Sequence, residues 1–220
     1  MDFSDAVYQQ TCQRYKEEWA ALDRVLYRMC EELPGHAARE AVNAKVWIIA
    51  RAYATGIERH IYSDGGQGNS LLKLANHFQL HNQQIDSLLT PLRSLTGPLT
   101  LDQLKQIVHA HGLLTNLTAQ VTRMGNNPRS FASKYLHFHC PQVPIYDSNA
   151  LKTLKGWRRW QSWFVEFPIS KEADPEYYYF VCRFWQFHQL VAGRGLDCNV
   201  KSLDFFLLNY DRKATGILDS

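Results

Sequence analysis

The chain has 220 residues, 45% hydrophobic and 13% aromatic, enough for one large domain or two small lobes around a cleft. Its five cysteines are odd in number and form no CxxC pair, which excludes a disulfide framework and a four-cysteine iron–sulfur cluster and points to a reducing, cytoplasmic setting. The acidic start, Met1 to Asp5, has no apolar signal region, and no apolar run approaches the roughly 18 residues of a membrane helix, so no membrane partner is expected.

Apolar residues spaced by three and four (Val7, Cys12, Tyr15, Trp19, Leu22, Leu26) predict one amphipathic helix over 4–32, halted by Pro34-Gly35. A second helix is expected from Ala37 to Ile61, apolar all round at its centre and therefore buried. Residues 63–69 (Ser-Asp-Gly-Gly-Gln-Gly-Asn) form the one flexible loop by composition. Helices follow over 70–79 and 82–95, up to the break at Gly97-Pro98. Thr100-Leu-Asp-Gln103 is a capping box that opens a helix ending at Gly112, with another over 114–124. Asn127-Pro128 reads as a cap with proline at the first helical position. Cys140 to Pro144 is extended, and Asp147 or Ser148 caps a helix to Lys155. Asp174-Pro175 opens a Tyr-rich helix to Leu190, too aromatic for a solvated face, and a last helix covers 202–210. No alternating strand, hairpin signal or internal repeat appears, so the expected class is all-α.

Charge is distributed unevenly along this series. The overall balance is only +3, yet between Arg123 and Arg159 seven Lys/Arg face a single acid, Asp147. One carboxylate at a helix mouth inside the most basic stretch points to chemistry on a polyanion. The helix after Pro128 offers free amides at its N-terminus, and Arg129, Ser130 and Lys134 are placed to add phosphate contacts. Trp157-Arg158-Arg159-Trp160 and Trp163 interleave aromatic and basic residues; at helical spacing the tryptophans pack inward and the arginines face out. His137, His139 and Cys140 lie close together but lack a second ligand pair, so neither a metal nor any other cofactor is expected.

The order of these elements resembles the helix-hairpin-helix DNA glycosylase superfamily, in its endonuclease III and adenine glycosylase group. Leu101 to Met124 looks like the first helices of that unit, Arg129 to Leu136 like the helix after the hairpin, and Val143-Pro-Ile-Tyr-Asp147-Ser-Asn-Ala like the crossing that ends in the catalytic aspartate. Ala52-Tyr-Ala-Thr-Gly56 lies where the family places residues that enter the duplex or line the base pocket. The resemblance implies a two-lobed helical fold with a central cleft, one lobe a bundle over 40–140 and the other combining 1–39 with 141–220. It also implies a monomeric DNA N-glycosylase, acting on double-stranded DNA with a flipped base, in which Asp147 stabilises the oxocarbenium-like sugar. Tyr53, Glu58 and Tyr146 become candidates for the base pocket, and Asn127, Arg129, Ser130, Lys134, Arg158 and Arg159 for the DNA backbone.

Two departures set this chain apart from that family. Gly125-Asn-Asn-Pro128 replaces the hairpin's Gly-hydrophobic-Gly. Ser130 stands where bifunctional members carry a Schiff-base lysine, with Lys134 one turn further on, which implies a monofunctional enzyme with Lys134 as a secondary catalytic candidate. Modified bases of phage DNA are one substrate class such an enzyme attacks. Two other readings fit the same residues: a non-enzymatic helical nucleic-acid-binding protein, and a protein-interaction module docking through the aromatic helix at 177–187.

Overall fold

A computed structural model describes residues 3–62, 69–97, 99–157 and 166–210. The loop at 63–68, Pro98, Arg158, Arg159, Trp160 and Trp163 lie outside the described residues. The described helices, in chain order, are α1 (Asp5–Glu18), α2 (Ala20–Glu32), α3 (Arg39–Ala52), α4 (Ser70–Leu80), α5 (Asn82–Arg93), α6 (Leu101–Ala119), α7 (Arg129–His139), α8 (Ser148–Gly156), α9 (Pro175–Gly193) and α10 (Val200–Asn209). Among the described residues the one β pairing is an isolated bridge between Ile61 and Thr122, outside the helices. The fold is all-α, and no described helix is long and apolar enough to cross a membrane.

The single helix expected over 4–32 is two. Trp19 ends α1 and starts α2 with φ of −123°, well outside helical geometry. One continuous helix would carry Trp19 and Leu22 inward behind Tyr8, Cys12 and Tyr15, but both are exposed. After the break the inward stripe is Asp23, Leu26 and Cys30. An acid replaces an apolar residue there because Tyr15 Oη donates to Asp23 Oδ2 at 2.6 Å and Lys201 Nζ lies 3.4 Å from the same oxygen. The break also separates the partners of the two helices: α1 packs on α10, whereas α2 packs on α3 and α7.

The second helix stops nine residues earlier than its expected end at Ile61, since α3 closes at Ala52. Thr55 terminates it, its backbone N–H and its hydroxyl both donating to Ala50 O at 3.1 Å. The chain then turns through Ala54 (φ +45°) and Gly56 (φ +69°) into a 3-10 turn at Ile57–Arg59. Ala54 is the one non-glycine with positive φ among the described residues, a conformation that costs energy for a residue with a Cβ.

Helix α6 opens on the expected capping box but does not end at Gly112; it runs on to Ala119 and absorbs the start of the helix expected over 114–124. The glycine is there for close packing: a Cβ at Gly112 would sit 2.1 Å from Glu172 O, so the chain before α9 crosses directly over the helix. The cap expected at Asn127 is absent. Pro128 is itself the cap residue and no side chain caps α7, because Asn127 Nδ2 donates to Asp174 instead. Asp147 caps α8 and Asp174 caps α9, as the sequence predicts.

One continuous apolar core runs from Phe3 to Leu207. The inner face of the Tyr-rich α9 (Tyr177, Phe180, Phe184, Phe187) is part of it. Five histidines are buried as well, among them His188 on α9. His36 bridges Asp86 (Nδ1, 2.7 Å) and Tyr135 Oη (Nε2, 2.7 Å). His111 stacks on Tyr177 with ring centroids 3.5 Å apart and donates to Arg129 O. His137 donates through Nδ1 to Val143 O at 2.8 Å and meets Tyr27 Oη at Nε2. His139 lies against the His36 and Tyr135 rings.

Burial holds these imidazoles neutral, pushing His36 and His111 down to about 4, His137 to about 3 and His139 well below its ordinary value. Because the folded values lie below the unfolded one, the unfolded chain takes up protons first as pH falls. Stability is therefore complete above about pH 6.5 and is lost as pH drops towards 4, each histidine contributing up to about 1.4 kcal/mol per pH unit. Thermal melts should show Tm falling steeply over that window; a Tm flat from pH 7 to 4.5 would contradict the buried neutral imidazoles.

Candidate functional site

A cavity of about 360 Å³ opens where α1, the turn after α3, α7, the α7–α8 crossing and α10 meet. Its size falls within the range of small-molecule sites, roughly 300–1,000 Å³. Three residues singled out from the sequence line it together: Tyr53, Lys134 and Asp147.

The crossing that delivers Asp147 is held from both sides. His137 bonds the carbonyl of Val143, Tyr177 Oη donates to Pro144 O at 2.8 Å, and the Tyr146 N–H donates to Ser133 Oγ at 2.9 Å. Asp147 then starts α8, with Oδ1 accepting the Asn149 N–H at 2.8 Å. Among the described residues Oδ2 accepts no hydrogen bond, and the residue is only half-buried. Cap and cavity wall are thus the same side chain.

Lys134 is buried in α7 and reaches across to the turn after α3. Its ammonium donates to Tyr53 O at 3.1 Å and to Ser130 Oγ at 3.2 Å. Burial pushes its pKa down, Asp147 and Asp204 pull it up, and Lys201 pushes it down again; the net shift is downward. The Tyr53 carbonyl that Lys134 reaches immediately precedes Ala54, whose φ is +45°.

The rest of the cavity's charge was not foreseen. Lys201, on α10, lies 3.4 Å from Asp23, 3.7 Å from Asp204 and 3.3 Å from Tyr53 Oη, with its ammonium over the Tyr53 ring. All three charged residues are buried. Asp204 is pushed up to about 6 by burial, against the pull of Lys201 and Lys134. A signal was present in the sequence: Asp204 interrupts the apolar run Leu203 to Leu208, and Asp23 sits one helical turn before Leu26 on the buried stripe. An acid inside an apolar run is expensive to bury without a purpose.

The other sequence candidates lie elsewhere. Tyr146 is buried outside the cavity, its hydroxyl donating to Glu176 and its ring facing Arg129. Glu58 pairs with Arg51 at 2.7 Å on the surface. Neither of these two base-pocket candidates lines the cavity. Asn127 and Arg129, expected on a DNA backbone, are spent on the protein itself: Arg129 contacts Asp174 through Nε and Nη2 and Glu176 through Nη1 at 2.8 Å. Ser130 serves Lys134. Arg123, Lys152 and Lys155 remain exposed basic residues in this region. Among the described residues no group of three or more His, Cys, Asp or Glu is arranged to hold a metal ion.

No protein-family model, no curated protein and no solved structure matches this chain.

Asp174 carries the loop before α7. Burial raises its pKa, but Arg129, the Tyr177 N–H and Asn127 outweigh it and hold the carboxyl below its ordinary range. Removing Arg129 would strand this 4%-exposed carboxylate. Arg129→Ala should therefore lower the unfolding free energy by about 3 kcal/mol, with Arg129→Lys recovering little because a single ammonium cannot reach both acids. Urea unfolding checks this; a variant as stable as the parent would show the pair to be inert.

Proposed function

We propose that the chain is a DNA glycosylase with its active site in this cavity. The observation that carries the reading is the meeting of Asp147, Lys134 and Tyr53, chosen from the sequence on separate grounds, around one open space. The two lobes would be the group around α3 to α7 and the group of α1, α8, α9 and α10, with the cavity between them.

In this reading a modified base is extruded from the duplex and enters the cavity, where Phe205 and the half-exposed Trp19 on the lining supply stacking surfaces beside Tyr53. The N-glycosidic bond breaks with its electron pair leaving on the base. The deficient C1′ is stabilised by the Asp147 carboxylate, which takes a proton from the water that adds there and then gives it up, through solvent, to the departing base anion, so that free base, an abasic site and the ionised carboxylate result. Exposed Arg123, Lys152 and Lys155 would grip phosphate in place of the internally paired Arg129. The enzyme would act as a cytoplasmic monomer, with modified phage DNA among its substrates.

Asp147→Asn should keep salt-dependent DNA binding while losing base release by about 100-fold or more, followed as alkali-labile sites and released base by mass spectrometry across several modified DNAs. Full excision by that variant would remove the mechanism. Because the Lys134 ammonium is held by Tyr53 O and Ser130 Oγ, the enzyme should leave the abasic strand unbroken. Borohydride should then trap no protein–DNA adduct; an adduct that disappears in Lys134→Gln would make the lysine a Schiff-base nucleophile instead.

A further inference from the structure

Helix α4 ends in two histidines one turn apart, neither of which lines the cavity. His77 lies in its last turn and His81 closes it, where the chain passes directly into α5. Residues four apart on a helix are neighbours, and these two imidazole centres stand 4.3 Å apart with their planes tilted by 50°. Each ring is held by one backbone carbonyl. His77 Nε2 reaches Leu117 O on α6 at 3.0 Å, and His81 Nδ1 reaches His77 O at 2.9 Å. A carbonyl oxygen only accepts, so in the neutral rings those two nitrogens carry the protons. The lone pairs therefore belong to His77 Nδ1 and His81 Nε2. Among the described residues neither of these nitrogens has a hydrogen-bond partner, and neither is sealed from solvent, both residues being half-buried.

We infer that His77 and His81 together bind a divalent transition ion of the zinc, nickel or copper class, through Nδ1 of the first and Nε2 of the second. Imidazole is a ligand these metals favour, whereas magnesium and calcium take oxygen. Metal-bound histidines are usually oriented by a hydrogen bond from the other ring nitrogen, and both rings meet that condition before any ion arrives. The spacing fits as well. Two nitrogens about 2.0 Å from one tetrahedral ion lie roughly 3.3 Å from each other. Rings 4.3 Å apart can present that separation without moving the helix. No third His, Cys, Asp or Glu joins the pair among the described residues, so water or the oxygen of a further ligand completes the shell. The ion is then exchangeable rather than a closed structural centre. Through Leu117 it is tied to α6, and through His81 to the start of α5, so it clamps the junction of three helices.

The site is independent of Asp147, of DNA and of any bond cleavage. Long-range proton–nitrogen NMR spectra of the full chain at neutral pH, without added metal, should show His77 protonated at Nε2 and His81 at Nδ1. Calorimetric titration should give micromolar binding of zinc chloride and of nickel chloride at a single site, and none of magnesium chloride. Zinc should shift the His77 Nδ1 and His81 Nε2 resonances. His77→Ala and His81→Ala each remove one arm of the chelate and should weaken zinc binding by about 100-fold, the scale gained by joining two ligands on one scaffold. His109→Ala, at an exposed α6 histidine bonded to Ser170, should leave it unchanged. The opposite tautomers in the parent protein, no binding at millimolar zinc, or undiminished binding by His77→Ala and His81→Ala chains with native circular dichroism would each overturn the inference. Neither the tautomers nor the parent titration depends on a variant folding.

Discussion

Lys201 between Asp23 and Asp204 is the interaction on which the rest of the site depends. It joins α2 to α10, and through Tyr15 and Tyr53 it reaches α1 and the turn after α3. Taking three charges out of water costs several kcal/mol per ion, and a mutual attraction at 3.4–3.7 Å returns only part of it. Apolar side chains of similar volume would hold the same helices together at less cost. The cluster is kept at that expense, with Asp23 Oδ1 and Asp204 Oδ1 both buried without a hydrogen bond among the described residues, and Lys201 and Asp204 line the cavity above it.

The same economy explains why the most basic stretch of the chain is not simply a DNA-binding surface. Arg129 and Asn127 converge on Asp174, the residue that also caps α9. That contact ties the loop after α6 to the C-terminal helices, alongside the close crossing of Glu172 over Gly112 and the stacking of His111 on Tyr177. Positive charge in this segment is divided between holding the fold and facing solvent, a division that a count of arginines and lysines does not reveal.

The cavity is assembled from side chains far apart in the chain, and its two cations do different jobs. Lys134 fastens the strained turn at 53–56, while Lys201 fastens the acids beneath it. Asp147 enters from a third direction on a crossing held by α7 and α9. Neighbours outside the lining help to hold each group, Ser130 for Lys134, Asp23 for Lys201 and His137, Tyr177 and Ser133 for the crossing to Asp147, which favours a site set up before a ligand arrives.

Much of this architecture was legible beforehand because it depends on local chemistry. Capping at Asp147 and Asp174, the capping box at Thr100 and the 3.6-residue periodicity act over one or two turns, so the helices and the position of Asp147 at a helix mouth follow from neighbouring residues alone. What failed involved a competitor distant in sequence. Trp19 breaks a periodic helix because Tyr15 and Lys201 draw Asp23 inward. Gly112 stays helical because Glu172 lies against it, and Asn127 leaves its cap for Asp174. Position along the chain does not say which partner a side chain will find: Tyr146 meets Glu176, Glu58 meets Arg51 and Arg129 meets Asp174. The chain by itself thus determined an all-α fold and a lone acid in a basic segment. Only the packing of α10 against α1 decided that the segment's acid and lysine share a cavity with Asp204, since a buried charge is defined by what surrounds it.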